Sequence, residues 1–123
     1  MLQNVGISDI TAWISSRYTY CQTGTDGSGS STTTYTNLVA PVGTRVTCTK
    51  SIETTYTTND TATFVAIITS SGDYTINEAG IFKDLTTSGT DVMLSRQVLT
   101  SPITVVTSQN YGIIWKVISA RGT

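Results

Sequence analysis

Histidine is absent from this chain of 123 residues, and Ser-His-Asp triads, Cys-His pairs, histidine-ligated metals and a histidine pH switch are excluded with it. Charge is scarce too: Asp, Glu, Lys and Arg make up 12% of the residues, with a formal net charge of -1. A chain so poor in Lys and Arg has no basic stripe to neutralise phosphates, so proteins are expected as partners and nucleic acid is not. No apolar run is long enough to cross a membrane as a helix, and no membrane partner is expected. Met1 to Ile10 has neither the basic n-region nor the apolar h-region of a leader. The only cysteines, Cys21 and Cys48, lack CxxC spacing, so neither a metal site nor a cofactor is expected. With no leader read there, a reducing compartment is expected, which favours free, partly buried thiols over a disulfide between neighbouring strands.

What the chain does have is threonine. Ser and Thr together are about a third of the residues, and the β-branched Thr suits half-exposed strands. The length fits one hydrophobic core, so residues 1–123 are read as a single domain. Near the start, Ser8 can cap a helix over Ser8 to Arg17, with Asp9 in its first turn and Ile10, Trp13 and Ile14 on one apolar stripe. A strand is the alternative there, since Ile10, Ala12 and Ile14 also alternate.

From residue 18 to residue 119 the chain reads as strands. The first is Tyr18 to Gln22, followed by Thr33 to Val39, Arg45 to Tyr56, Thr61 to Thr69, Tyr74 to Phe82, Val92 to Leu99 and Tyr111 to Ser119, with a further short one at Ile103 to Val106. Turn chemistry marks the breaks at Ala40-Pro41-Val42-Gly43, Thr58-Asn59-Asp60, Ser70-Ser71-Gly72-Asp73, Thr87-Ser88-Gly89-Thr90, Ser101-Pro102 and Ser108-Gln109-Asn110. Short strands at this spacing predict a mainly β fold, a jelly-roll-like antiparallel β-sandwich with a short N-terminal helix. Tyr111, Ile113, Trp115 and Val117 share one strand face, as do Phe64, Ala66 and Ile68, and these faces are the expected core.

Three stretches invite a chemical reading. The loop GTDGSGSS, Gly24 to Ser31, is glycine-rich and expected to be mobile, but it leads into a β-type run without the lysine of a phosphate cradle. Asn59-Asp60-Thr61 fits the glycosylation pattern and reads better as a hairpin turn. In TSSGDYTINEAGIF, Glu78 is a carboxylate followed by Gly80 in the middle of a strand. Glycosidase chemistry would need a second carboxylate about 5 to 9 Å away, yet Asp26, Asp60, Asp73, Asp84 and Asp91 fall in predicted turns and Glu53 lies on a Thr-rich strand. The structural reading gives Gly80 a bulge, with Glu78 accepting the freed backbone N–H groups and pairing with Arg96 on the next strand or with Arg45. Trp13, Trp115 and the tyrosines read as core or protein interface, because no basic groove accompanies them.

The order of GISDITAWISSR, YTYCQTGTDGSGS, SSGDYTINEAGIF, MLSRQVL, SPITVVTSQN and YGIIWKVIS resembles small structural proteins of tailed bacteriophages encoded among head and neck genes. The sharpest part is SSG-Y-TINEAGIF followed by LSRQ and the Trp115 strand. Thr23-Gly24-Thr25-Asp26 departs from the GTGT-type loop of that pattern. The resemblance implies a β-sandwich virion component with no enzymatic activity, assembled in the host cytoplasm. Partners would be the major capsid protein or other virion proteins, together with further copies of the chain. A small, nearly neutral Thr-rich module suits clamping capsomers, so capsid decoration (cement) is the expected role. A neck or tail component, including a fibre-attachment or host-binding module, is the alternative, and a small hydrolase or lectin a third.

Overall fold

The computed structural model describes residues 2–28 and 34–120. Helix α1 (Asn4–Arg17) is followed by strands β1 (Tyr20–Gly24), β2 (Pro41–Thr47), β3 (Thr49–Glu53), β4 (Thr61–Thr69), β5 (Tyr74–Phe82), β6 (Met93–Val105) and β7 (Asn110–Ile118). Among the described residues all strand pairings are antiparallel and form two sheets, one ordered β2-β1-β5-β6 and the other β3-β4-β7. The chain is a mainly β sandwich with one N-terminal helix.

Alternation places the core. Ala62, Phe64, Ala66 and Ile68 of β4 and Ile113 and Trp115 of β7 face inward, against Cys21, Ala79 and Ile81 of the other sheet. The cross-strand pairs Phe64 with Trp115 and Ala66 with Ile113 hold this face in one register. Cys21 and Cys48 are free and buried, more deeply than the sequence suggested. The Cys21 thiol is pushed up by its hydrogen bond with Cys48 and by burial, which keeps it protonated.

Several boundaries differ from expectation. The helix begins one turn earlier, at Asn4, with Gln3 at its N-cap and no side-chain cap, so Ser8 lies inside it. Its buried face is Ile7, Thr11 and the half-buried Ile14, and not the Ile10, Trp13, Ile14 stripe. Starting earlier brings Ile7 onto the sandwich, and the Thr11 hydroxyl is satisfied by donating to the Ile7 carbonyl at 2.9 Å. Trp13 is 55% exposed, with the Arg17 guanidinium 5.0 Å over its ring and Tyr18 edge-on at 6.4 Å.

The run Arg45 to Tyr56 is two strands. Cys48 is the corner between them, its N–H donating to the Thr19 carbonyl, so the chain leaves one sheet and enters the other within a residue. Pro41 opens β2 instead of lying within a turn over Ala40 to Gly43, as a residue without an N–H can at a strand start. Ser101-Pro102 does not break β6; the extra residues Leu99 to Pro102 lie opposite the single residue Asn77, in an irregularity that accommodates the proline. Thr34 to Ala40 form turns and bends and no strand, with the N–H groups of Leu38, Val39 and Ala40 donating to the side chains of Asn37 and Glu78, while Thr33 and the end of the glycine-rich loop lie outside the described residues.

The connection from β3 to β4 is closed by Asp60, whose carboxylate accepts from the N–H groups of Thr55, Tyr56 and Thr57 at 2.8 to 2.9 Å and from the Thr61 hydroxyl. Asn59 takes the left-handed conformation there (φ 58°). Burial pushes the Asp60 carboxyl up, but hydrogen bonds from Thr57, Thr55, Tyr56 and Thr61 outweigh it and hold the group well below the usual carboxylate range.

Candidate functional site

The face of the four-stranded sheet that points away from the core is covered by two segments of loop. Strand period two puts Glu78, Gly80 and Phe82 of β5 on this face. Gln22 and Arg96 join them as cross-strand partners of Gly80, and Arg45 lies opposite in orientation to the inward Val46. Phe82, Glu78, Arg96, Arg45 and Leu38 are all buried.

Glu78 is fully buried and serves the first loop. Its Oε1 accepts from the Val39 N–H (3.0 Å) and from Arg96 Nε (2.8 Å). Its Oε2 accepts from the Ala40 N–H (2.8 Å) and the Asp26 N–H (3.2 Å). One carboxylate therefore ties together both stems of the segment that leaves β1 and returns to β2. Arg96 Nη2 stands 3.3 Å from the Asp26 carboxylate, and the Arg96 guanidinium lies 5.4 Å from the Tyr35 ring. Gly24 is part of the same clamp: a Cβ there would come within 2.5 Å of the Ala40 carbonyl and 2.6 Å of Glu78 Oε2. Only glycine lets the stems approach this closely.

Arg45 serves the second loop and does not reach Glu78. Its Nη1 donates to the Asp84 carbonyl (2.7 Å) and the Asp91 carboxylate (2.9 Å), while its guanidinium stacks on Phe82 at 3.6 Å. Asp91 also accepts from the Asp84 N–H, so the 83–92 segment is fastened at both ends. The Thr90 hydroxyl holds the Asp84 carboxyl below its ordinary value, against the opposing effect of burial.

Gly80 has a different task from the expected bulge. It pairs in regular register with Gln22 and Arg96, and the irregularities of β5 fall at Asn77 and between Ile81 and Phe82. A Cβ on Gly80 would meet Leu38 Cδ2 at 2.9 Å and Phe82 at 3.0 Å, so the missing side chain is the space that the covering loop fills. Trp115 lies in the core and away from this site. Glu53 sits on the outer face of the other sheet, with the Thr63 hydroxyl donating to it and Lys116 Nζ at 3.7 Å. Among the described residues no three His, Cys, Asp or Glu side chains cluster as a metal site.

Glu78, Arg96, Arg45 and Gly80 thus share one sheet face, organised in two separate clusters. Asp26, Leu38 and Asp91 were not singled out for these contacts by the sequence. Period two from Glu78 could have indicated Phe82, but no local pattern relates Asp91 to Arg45 across the chain. No family model, curated protein or solved structure matches the chain. Chemically, the arrangement immobilises loops. The Glu78 oxygens are already met by four donors and reach no solvent.

Proposed function

We propose that the chain is a non-enzymatic structural protein of a tailed-phage virion, and within that class a capsid decoration protein that stabilises the assembled head. The observation that carries this reading is the engagement of Glu78. The most distinctive carboxylate of the sequence, in the motif that resembles phage structural proteins, is spent on three backbone N–H groups and one arginine. A group so enclosed fixes loop geometry, which is what a clamp between capsomers needs and what hydrolysis does not use. The low charge and the Thr-rich exterior fit many weak polar contacts with protein and give no grip on nucleic acid. Copies arranged around a symmetry axis on the shell would gain avidity by roughly 10² to 10⁴, so each contact alone can be weak.

Capsids assembled without the protein provide the test. Purified protein should saturate them at a fixed ratio to the major capsid protein and raise their melting temperature. Shells that keep full stability without it, while tails fail to attach or to adsorb, would replace this reading with a neck or tail role.

A further inference from the structure

Four strands lie at the edges of the two sheets, and three of them are poor templates for another chain. β2 begins with Pro41, contains Gly43 at φ 65° and has an irregular register with β1. β3 is five residues long and contains Lys50 and Glu53. β6 contains Pro102 at its irregularity. Prolines, bulges, short length and charge are the usual defences of an edge.

β7 lacks them. It is nine residues long, NYGIIWKVI, without proline, and every residue from Asn110 to Ile118 is matched in unbroken register with β4. Its one charge is drawn away from the free edge, since Lys116 Nζ stands 3.7 Å from Glu53 Oε2 of β3, beyond β4. On the outer face Ile114 is 68% exposed and Ile67 of the neighbouring strand 65%. A cleft of about 400 Å³ runs beside β7, between Gly112 to Lys116 and the Ala79, Gln97 and Leu99 side of the other sheet, and leaves the edge approachable.

We infer that β7 pairs with β7 of a second copy of this chain, antiparallel about a two-fold axis through Ile114, so that the two three-stranded sheets become one. The sequence of the strand is complementary to itself in this register. Ile114 meets Ile114, Ile113 meets Trp115, Tyr111 meets Val117, and Asn110 meets Ile118. Lys116 stands opposite Gly112, so no like charges face each other and the lysine has room. The same patch on both partners is what a two-fold interface requires. The exposed Ile114 and Ile67 of each copy then form one apolar strip across the junction. This pairing is a property of the free chain and holds wherever on a particle the protein docks.

Light scattering and sedimentation of the purified chain should give a dimer. Ile114→Lys places two ammonium groups opposite each other at the axis and should weaken the dimer by roughly tenfold or more, with the circular dichroism spectrum unchanged because position 114 is exposed. Ile114→Cys, mildly oxidised, should give a disulfide between the two copies of residue 114, identified by peptide mapping. A chain that stays monomeric at every concentration would overturn the inference, and so would a dimer that survives Ile114→Lys. Failure to load capsids leaves this result intact, so the two readings are tested separately.

Discussion

Four donors meet the Glu78 carboxylate, and two of them, the Val39 and Ala40 N–H groups, come from a segment that makes no strand. Removing the carboxylate leaves the Arg96 guanidinium buried without this partner and the loop stems without their acceptor. Loss of one member of a buried ion pair costs about 3 to 5 kcal/mol, so Glu78→Ala should lower the stability from urea unfolding by that order. Glu78→Gln should not restore it, because an amide nitrogen would face an N–H donor. A loss under about 0.5 kcal/mol, the range of surface substitutions, would contradict the clamp. At this scale a partner on the adjacent strand was legible, since a carboxylate in a strand interior needs donors and Arg96 was at hand. The Asp26, Val39 and Ala40 contacts were not, because they join chain segments through a loop whose path no periodicity encodes.

Helix α1 shows how an element can be found and still be turned the wrong way. Cap chemistry at Ser8 and the bulk of Trp13 suggested one face, whereas packing selected Ile7 and Thr11. Apolar residues at Val5, Ile7, Ile10, Trp13 and Ile14 spread over more than half of the helix circumference, so the pattern itself does not single out a narrow stripe. Deleting buried side-chain atoms leaves a cavity, and Ile7→Ala should cost about 2 to 5 kcal/mol. Trp13→Ala should cost about 1 kcal/mol or less, since more than half of that residue's surface is already in water. Thermal unfolding of the two variants reads this order directly, and its reversal would restore the stripe expected from the sequence. The strands were more legible, because β7 and the second half of β4 alternate between more and less buried positions. The corner at Cys48 was hidden, since a strand that changes sheets keeps its β-type composition on both sides of the crossing.

For the molecule as a whole, pH should matter little around neutrality and should tell at the acid end. No histidine titrates between about pH 5 and 8, while the Asp60 and Asp84 carboxyls are held below their ordinary values. A group with a depressed folded-state pKa contributes its stabilisation above its unfolded value, about 3.9 for Asp, and loses it as pH falls further. The melting temperature should therefore be level from about pH 5 to 8 and drop below about pH 4. The deficit of Asp60→Asn relative to the parent should shrink across that drop, and a deficit that is constant with pH would remove Asp60 from the account. The sandwich was legible from composition and turn spacing, because both reflect local backbone preference. The sheet order and the two loop-covered arginines were not, since they depend on contacts between distant parts of the chain. The shared Glu78 anchor has one more consequence. The segment between Gly24 and Pro41 begins and ends at the same carboxylate, so its ends stay together whatever length of chain joins them. Each doubling of a loop adds only about 0.6 kcal/mol of closure entropy, so an insertion between Asp26 and Leu38 should leave these anchors in place. Away from Asp26 and Leu38 to Ala40, which hold it to the sheet, this stretch can change in sequence and in length without the fold having to be solved again.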